Sequence, residues 1–172
     1  GWENVICYGM GSTLDDVKNA AAAEMNIVCS AAAIKAAEYL KEKFGTPYEI
    51  EYPQSCLPEE IVQKADNFAD KNVLVIHNQT AADAVRKLIT EKSGKCHCTS
   101  ATFFMQKKEL LQQSDFFLAD ESDLCDNVGD NYDVVIADKT LRRVMKNFSG
   151  EFIDFPHFGL SGRLLQGESE KI

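Results

Sequence analysis

Val73-Leu74-Val75-Ile76 is an unbroken apolar run, three of its four residues β-branched, set between Asn72 and His77-Asn78. A strand covered on one face alternates apolar with polar residues; an unbroken run marks a strand buried on both faces of a parallel sheet. The segments on either side repeat one scheme. Downstream, 81–92 reads as a helix that turns Ala84, Val85, Leu88 and Ile89 inward, and Gly94 ends it. A strand begins over 95–99, a helix follows around 107–113, and Phe116-Phe117-Leu118 reads as a strand. Then come a helix near 122–128, the strand Asp133-Val134-Val135-Ile136, a helix marked by Leu141, Val144, Met145 and Phe148, and a last strand, Glu151-Phe152-Ile153-Asp154. Strands alternating with helices of this length imply right-handed βαβ units. The expected fold class is α/β: a Rossmann-like parallel sheet with helices on both faces, in three αβα layers.

Upstream the same alternation is shorter. Val5-Ile6-Cys7-Tyr8 reads as a strand, 14–22 as a helix and 25–29 as a second strand. Over 31–44, Ile34, Ala37, Leu40 and Phe44 share one helical face, with Gly45 as the stop and Pro47 beyond it. Residues 48–52 look extended, and Pro58 with Glu59 and Glu60 opens a helix through Ile61, Val62, Ala65, Phe68 and Ala69. The expected organisation is a partial α/β unit over 1–52, a connecting helix over 53–70, a Rossmann-like domain over 71–165 and a flexible tail over 166–172.

Composition narrows the function classes. In 172 residues, 45% hydrophobic and 26% charged, there is enough apolar material for a core, and wholesale disorder is excluded. Asp plus Glu number 27 against 18 Lys plus Arg, a net charge of -9 that repels nucleic acid and anionic membranes. No apolar run is long enough to span a bilayer, and the first residues lack a basic signal-peptide region, so a cytoplasmic location is expected. The six cysteines (7, 29, 56, 96, 98 and 125) read as reduced thiols, most of them buried as small hydrophobes. The chain opens on Gly1-Trp2 rather than Met and is expected to be a piece of a larger protein.

Ligands of open parallel sheets bind beyond the carboxyl ends of the strands, which directs attention to the residues that follow each strand. Gly9-Met10-Gly11-Ser12-Thr13 has the place of a phosphate loop but lacks the third glycine and the lysine, and Ser12 or Thr13 serves equally as a helix N-cap. Cys96-His97-Cys98 alternates across a strand, so its thiols face away from its imidazole, and no second ligand pair exists to complete a zinc site. His77, Asp133 and Asp138 flank apolar strands as background residues. Cys29 ends a strand just before a helix, where helix-end polarity favours the thiolate. The richest segment is Phe155-Pro156-His157-Phe158-Gly159-Leu160-Ser161-Gly162, an imidazole framed by Pro, Phe and Gly after the final strand.

Taken in order, several segments resemble component 1 of nitrogenase and its relatives. They are Asn26-Ile27-Val28-Cys29, Tyr39 followed by Leu40-Lys41-Glu42-Lys43-Phe44-Gly45-Thr46-Pro47-Tyr48, the Val73-Leu74-Val75-Ile76 strand, 132–138, and Phe152-Ile153-Asp154-Phe155-Pro156-His157 with Ser161-Gly162. The resemblance implies a metal-sulfur cofactor or a tetrapyrrole held between α/β domains. It also implies low-potential electrons from an ATP-dependent iron-sulfur reductase protein, with other domains or a subunit of the parent oxidoreductase as partners. By resemblance, Cys29 and His157 stand at or beside the cofactor's metal-ligating positions, and Ser161 is a third cofactor-binding residue. The chain is then the later part of such a subunit, inactive by itself and with nothing tightly bound. The alternatives are a non-catalytic cofactor scaffold of the same family and a Rossmann-like nucleotide or metabolite module.

Overall fold

A computed structural model describes residues 3–9, 11–95, 97–128 and 131–165. The tail over 166–172 and Cys96 lie outside the described residues, as does Met10. The first helix is short: α1 (Leu14–Lys18) starts at Thr13 and continues as a 3-10 turn, Asn19–Ala22. Then come β1 (Asn26–Val28), a 3-10 turn at Ala31–Ala33, α2 (Ile34–Phe44) and β2 (Tyr48–Ile50). Strands β1 and β2 pair in parallel, with Val28 opposite Ile50. Val28 packs with Ala31, Ile34 and Ala37 under α2, while Ile27, on the opposite face, stays exposed. The apolar stripe of α2 fades along its length, for Phe44 is exposed, and Gly45 ends the helix at φ 76°.

One sequence expectation fails here. Val5-Ile6-Cys7-Tyr8 is not a strand, and Val5, Ile6 and Tyr8 are exposed. A β-branched run becomes a strand only when a partner strand takes up its backbone groups, and none does so among the described residues.

Segment 53–70 is broken into a 3-10 turn (Gln54–Cys56), α3 (Glu59–Lys64) and a further 3-10 turn (Ala65–Phe68). Its apolar face is fully buried at Ile61, Ala65 and Phe68. Strand β3 (Asn72–Ile76) follows, then α4 (Gln79–Ser93), β4 (His97–Thr102), β5 (Phe116–Phe117), α5 (Glu121–Asn127), β6 (Val134–Ala137), β7 (Glu151–Asp154) and α6 (Phe158–Leu165). The five strands form one parallel sheet in the order β5-β4-β3-β6-β7, the doubly wound arrangement in which the chain starts in the middle and winds outward both ways.

The Val73-Leu74-Val75-Ile76 run is the centre of this sheet. Val73 and Val75, with Val134, Ile136 and Ile153, pack on one side against Ile61, Phe68, Val85 and Ile89. Leu74 and Ile76, with Val135 and Ala137, pack on the other against Leu118, Leu124, Leu141 and Met145. Both faces are covered, which is why no polar residue interrupts the run. The connections are less helical than the sequence pattern suggests. The helices expected at 107–113 and over Leu141 to Phe148 are only 3-10 turns, Lys108–Leu110 and Lys139–Arg143. Leu141, Met145 and Phe148 are nevertheless buried, so their spacing recorded burial rather than a regular helix.

Candidate functional site

The direction of winding reverses between β3 and β6, and at that switch point the loops beyond the carboxyl ends converge. Asp138, directly after β6, is the hub. Its Oδ2 accepts from the His157 backbone N–H (2.8 Å) and from Ser161 Oγ (2.5 Å). Its Oδ1 accepts from the Thr140 N–H (2.9 Å) and hydroxyl (2.7 Å), the local turn that Asp and Thr two residues apart favour. Burial alone would raise the Asp138 carboxyl, but these hydrogen bonds outweigh it and hold the carboxyl below its usual range.

Pinned from behind by Asp138, His157 is buried among rings. Phe104, from the loop after β4, stacks on it at 3.8 Å between centroids, and His77, from the end of β3, meets it edge-on at 4.6 Å. His77 in turn stacks on Phe155 at 4.0 Å, and its Nε2 faces the Pro156 carbonyl at 3.2 Å. A carbonyl only accepts, so Nε2 carries the proton, and the bare Nδ1 of His77 is buried with no hydrogen-bond partner among the described residues. Burial, then the proximity of His77, push His157 down to about 4 against the opposing pull of Asp138; burial also lowers His77. Both rings are neutral at neutral pH.

Cys29 reaches this region through its backbone. Thr80, buried in the first turn of α4, donates to the Cys29 carbonyl at 2.5 Å and so ties the β1–β2 unit to the large sheet. Cys29 is an exposed residue outside any disulfide, and its thiol, itself partly covered, donates to the Ile27 carbonyl at 3.9 Å. Its expected thiolate character is not found: burial of the sulfur, then the neighbouring Cys56, Cys7 and Glu51, push its pKa up. The helix after Cys29 opens as a three-residue 3-10 turn with Ser30 as its cap and runs on as α2. The cysteines also depart from expectation, for Cys7, Cys29, Cys56 and Cys125 are exposed and only Cys98 is buried among the described residues.

His157 and Ser161 are therefore brought together on Asp138, while Cys29 is joined to them only through Thr80 and the start of α4. Ser161, spent on Asp138, positions the loop. A metal-sulfur group does not fit this donor set. Nδ1 of His157 accepts from the Gly159 N–H at 3.0 Å, Cys29 is joined to it only through Thr80, and no group of three or more His, Cys, Asp or Glu is placed to hold a metal among the described residues.

The other motifs resolve into structure. Thr13 and Asp16 form a reciprocal capping box, and the Gly9 and Ser12 amides bond within their own loop. His97 is exposed and Cys98 buried, on opposite faces of β4. Sequence reasoning set Asp138 and His77 aside as background and did not single out Phe104 or Thr80. Only Asp138 carried a signal, the Asp-Lys-Thr turn directly beyond an apolar strand.

Aligned with the solved structure of nitrogenase Cp1 at pH 6.5, the chain matches over 84% of its own length and 40% of that chain's, with a TM-score of 0.51 and 15% sequence identity. The fold is nitrogenase-like. At this identity the likeness is one of fold alone, and the chain spans well under half of the protein it matches. No family model matches the sequence, and no curated protein does. Among the described residues no helix is long and apolar enough to cross a membrane.

Proposed function

We propose that this chain is the ligand-holding part of a nitrogenase component 1-like oxidoreductase, and that it receives a tetrapyrrole at the switch point, beside the β1–β2 unit. The observation that carries this reading is the neutral imidazole of His157 at the carboxyl end of the sheet, its Nδ1 closed by Gly159 and its ring held by Phe104 and His77. A flat macrocycle with an apolar body suits such a surface, and Met105 on the loop after β4, with Phe158 and Leu160 at the start of α6, adds exposed apolar area. A metal-sulfur cofactor would ask for an imidazole lone pair that His157, its Nδ1 spent on the Gly159 amide, does not offer. In the assembled oxidoreductase the remaining domains or subunit cover the ligand, and an ATP-dependent iron-sulfur reductase supplies low-potential electrons. The residues of this chain bind and orient.

A metal-sulfur cofactor is the second reading, favoured by the free thiol of Cys29 alone. Anaerobic titration of the full chain with a free-base dicarboxylate porphyrin separates the two. The expected result is a saturable Soret shift at one porphyrin per chain, with iron and sulfide far below stoichiometry. Stoichiometric iron with a paramagnetic signal that vanishes in Cys29→Ala and His157→Ala would replace the tetrapyrrole by the cluster.

A further inference from the structure

We infer that His157 meets its ligand as a hydrogen-bond donor, through Nε2–H to a carbonyl or carboxylate oxygen, and does not ligate metal. The argument concerns one ring and its tautomer. A neutral imidazole has a single lone pair on nitrogen, and in His157 that pair, on Nδ1, accepts the Gly159 N–H at 3.0 Å. The donor is a backbone amide, so its proton cannot be withdrawn to let Nδ1 turn donor. The proton therefore sits on Nε2, which has no partner among the described residues.

The ring is not free to exchange its edges. Turning it over would set a carbon against the Gly159 amide and leave that N–H unanswered, and the stack on Phe104, only 14° from parallel, keeps the ring in its plane. Glycine at 159 makes the close approach feasible. A Cβ there would lie 3.0 Å from Phe104 Cε1 and 3.2 Å from His157 Nδ1, inside ordinary contact for both. The backbone of His157 is fixed from behind by Asp138. Residue, ring and tautomer are each held by a separate contact, and the one polar group left over is a donor.

A neutral donor beside exposed apolar side chains selects an organic molecule with an oxygen acceptor on an apolar body. For the body of the ligand the inference rests on the tetrapyrrole reading above; for the donor it does not.

The tautomer is read directly from long-range proton–nitrogen correlation on the 15N-labelled full chain at neutral pH. The expected pattern for His157 is a protonated Nε2 and a bare Nδ1, unmoved by added Co2+. A protonated Nδ1, or paramagnetic shifts on His157 with Co2+, overturns the inference. Dicarboxylate porphyrin supplies the second arm. His157→Gln, which sets an amide N–H where Nε2–H stood, keeps affinity within about threefold, whereas His157→Ala loses about tenfold. Equal losses in the two variants overturn the donor role. Absence of porphyrin binding by the unaltered chain overturns the tetrapyrrole reading alone, because the tautomer is measured without ligand.

Discussion

Four hydrogen bonds meet on Asp138, a side chain with no exposure, and two of them come from residues 19 and 23 positions later in the chain. Such a carboxylate costs a great deal to bury alone and little when every lone pair is answered. Asp138→Ala should therefore destabilise the chain by about 3 kcal/mol in urea unfolding, since it strands the His157 amide and the Ser161 hydroxyl. The neutrality of His157 has its own signature. Its folded pKa of about 4 lies below the ordinary 6.5, so the folded state holds fewer protons than the unfolded one between those values. The stability is fully present above pH 6.5 and is lost as pH falls toward 4. Unfolding midpoints across that interval should fall by the equivalent of about 2 kcal/mol, and His157→Gln should remove most of the slope.

At the scale of elements, α4 and β4 are joined by a buried cation. Arg86 donates to Asp83 at 2.6 Å, to Asp115 at 2.5 Å and to the Cys98 carbonyl at 3.1 Å. Asp115 also accepts the Ser100 and Gln112 amides, so one carboxylate fastens the helix, the strand and the loop beyond it. Asp115→Ala leaves Arg86 with the Cys98 carbonyl and, as its one carboxylate, the more exposed Asp83, and should cost about 3 kcal/mol, read from thermal and urea unfolding. Asp83, pushed up to about 6 chiefly by burial, is the weaker partner. Loops are clamped by the same logic: Gln79 both donates to and accepts from the Lys107 backbone, which holds the segment carrying Phe104 near His157.

For the whole molecule, the doubly wound sheet is the rigid body against which the smaller β1–β2 sheet is placed. Three-residue parallel strands bury little by themselves, so that unit depends on what it touches. The Thr80 hydroxyl bond to the Cys29 carbonyl is one such tie. Thr80→Val keeps the shape and deletes the donor. Amide exchange over 26–50 should rise about fivefold or more, while exchange in β3 and β6 stays unchanged. An equal rise in both sheets would show that the two unfold together and that the tie is not local.

The sequence by itself determined the large sheet, because a run buried on both faces can contain only apolar residues, and Val73-Leu74-Val75-Ile76 and Val134-Val135-Ile136 carry that requirement in their composition. Helix ends were legible for the same local reason, at Gly45, Gly94 and Thr13. The strand expected at 5–8 and the helices expected at 107–113 and beyond Leu141 failed because apolar spacing records burial, whereas backbone pairing depends on neighbours supplied by the fold. His157 stood out through its Pro, Phe and Gly frame. Its chemistry did not, for that rests on a Gly159 amide, a Phe104 ring 53 residues earlier and an Asp138 carboxylate 19 residues earlier. Which nitrogen holds the proton, and hence whether the ring gives a hydrogen bond or a lone pair, was decided only where the tertiary structure brought those groups within reach.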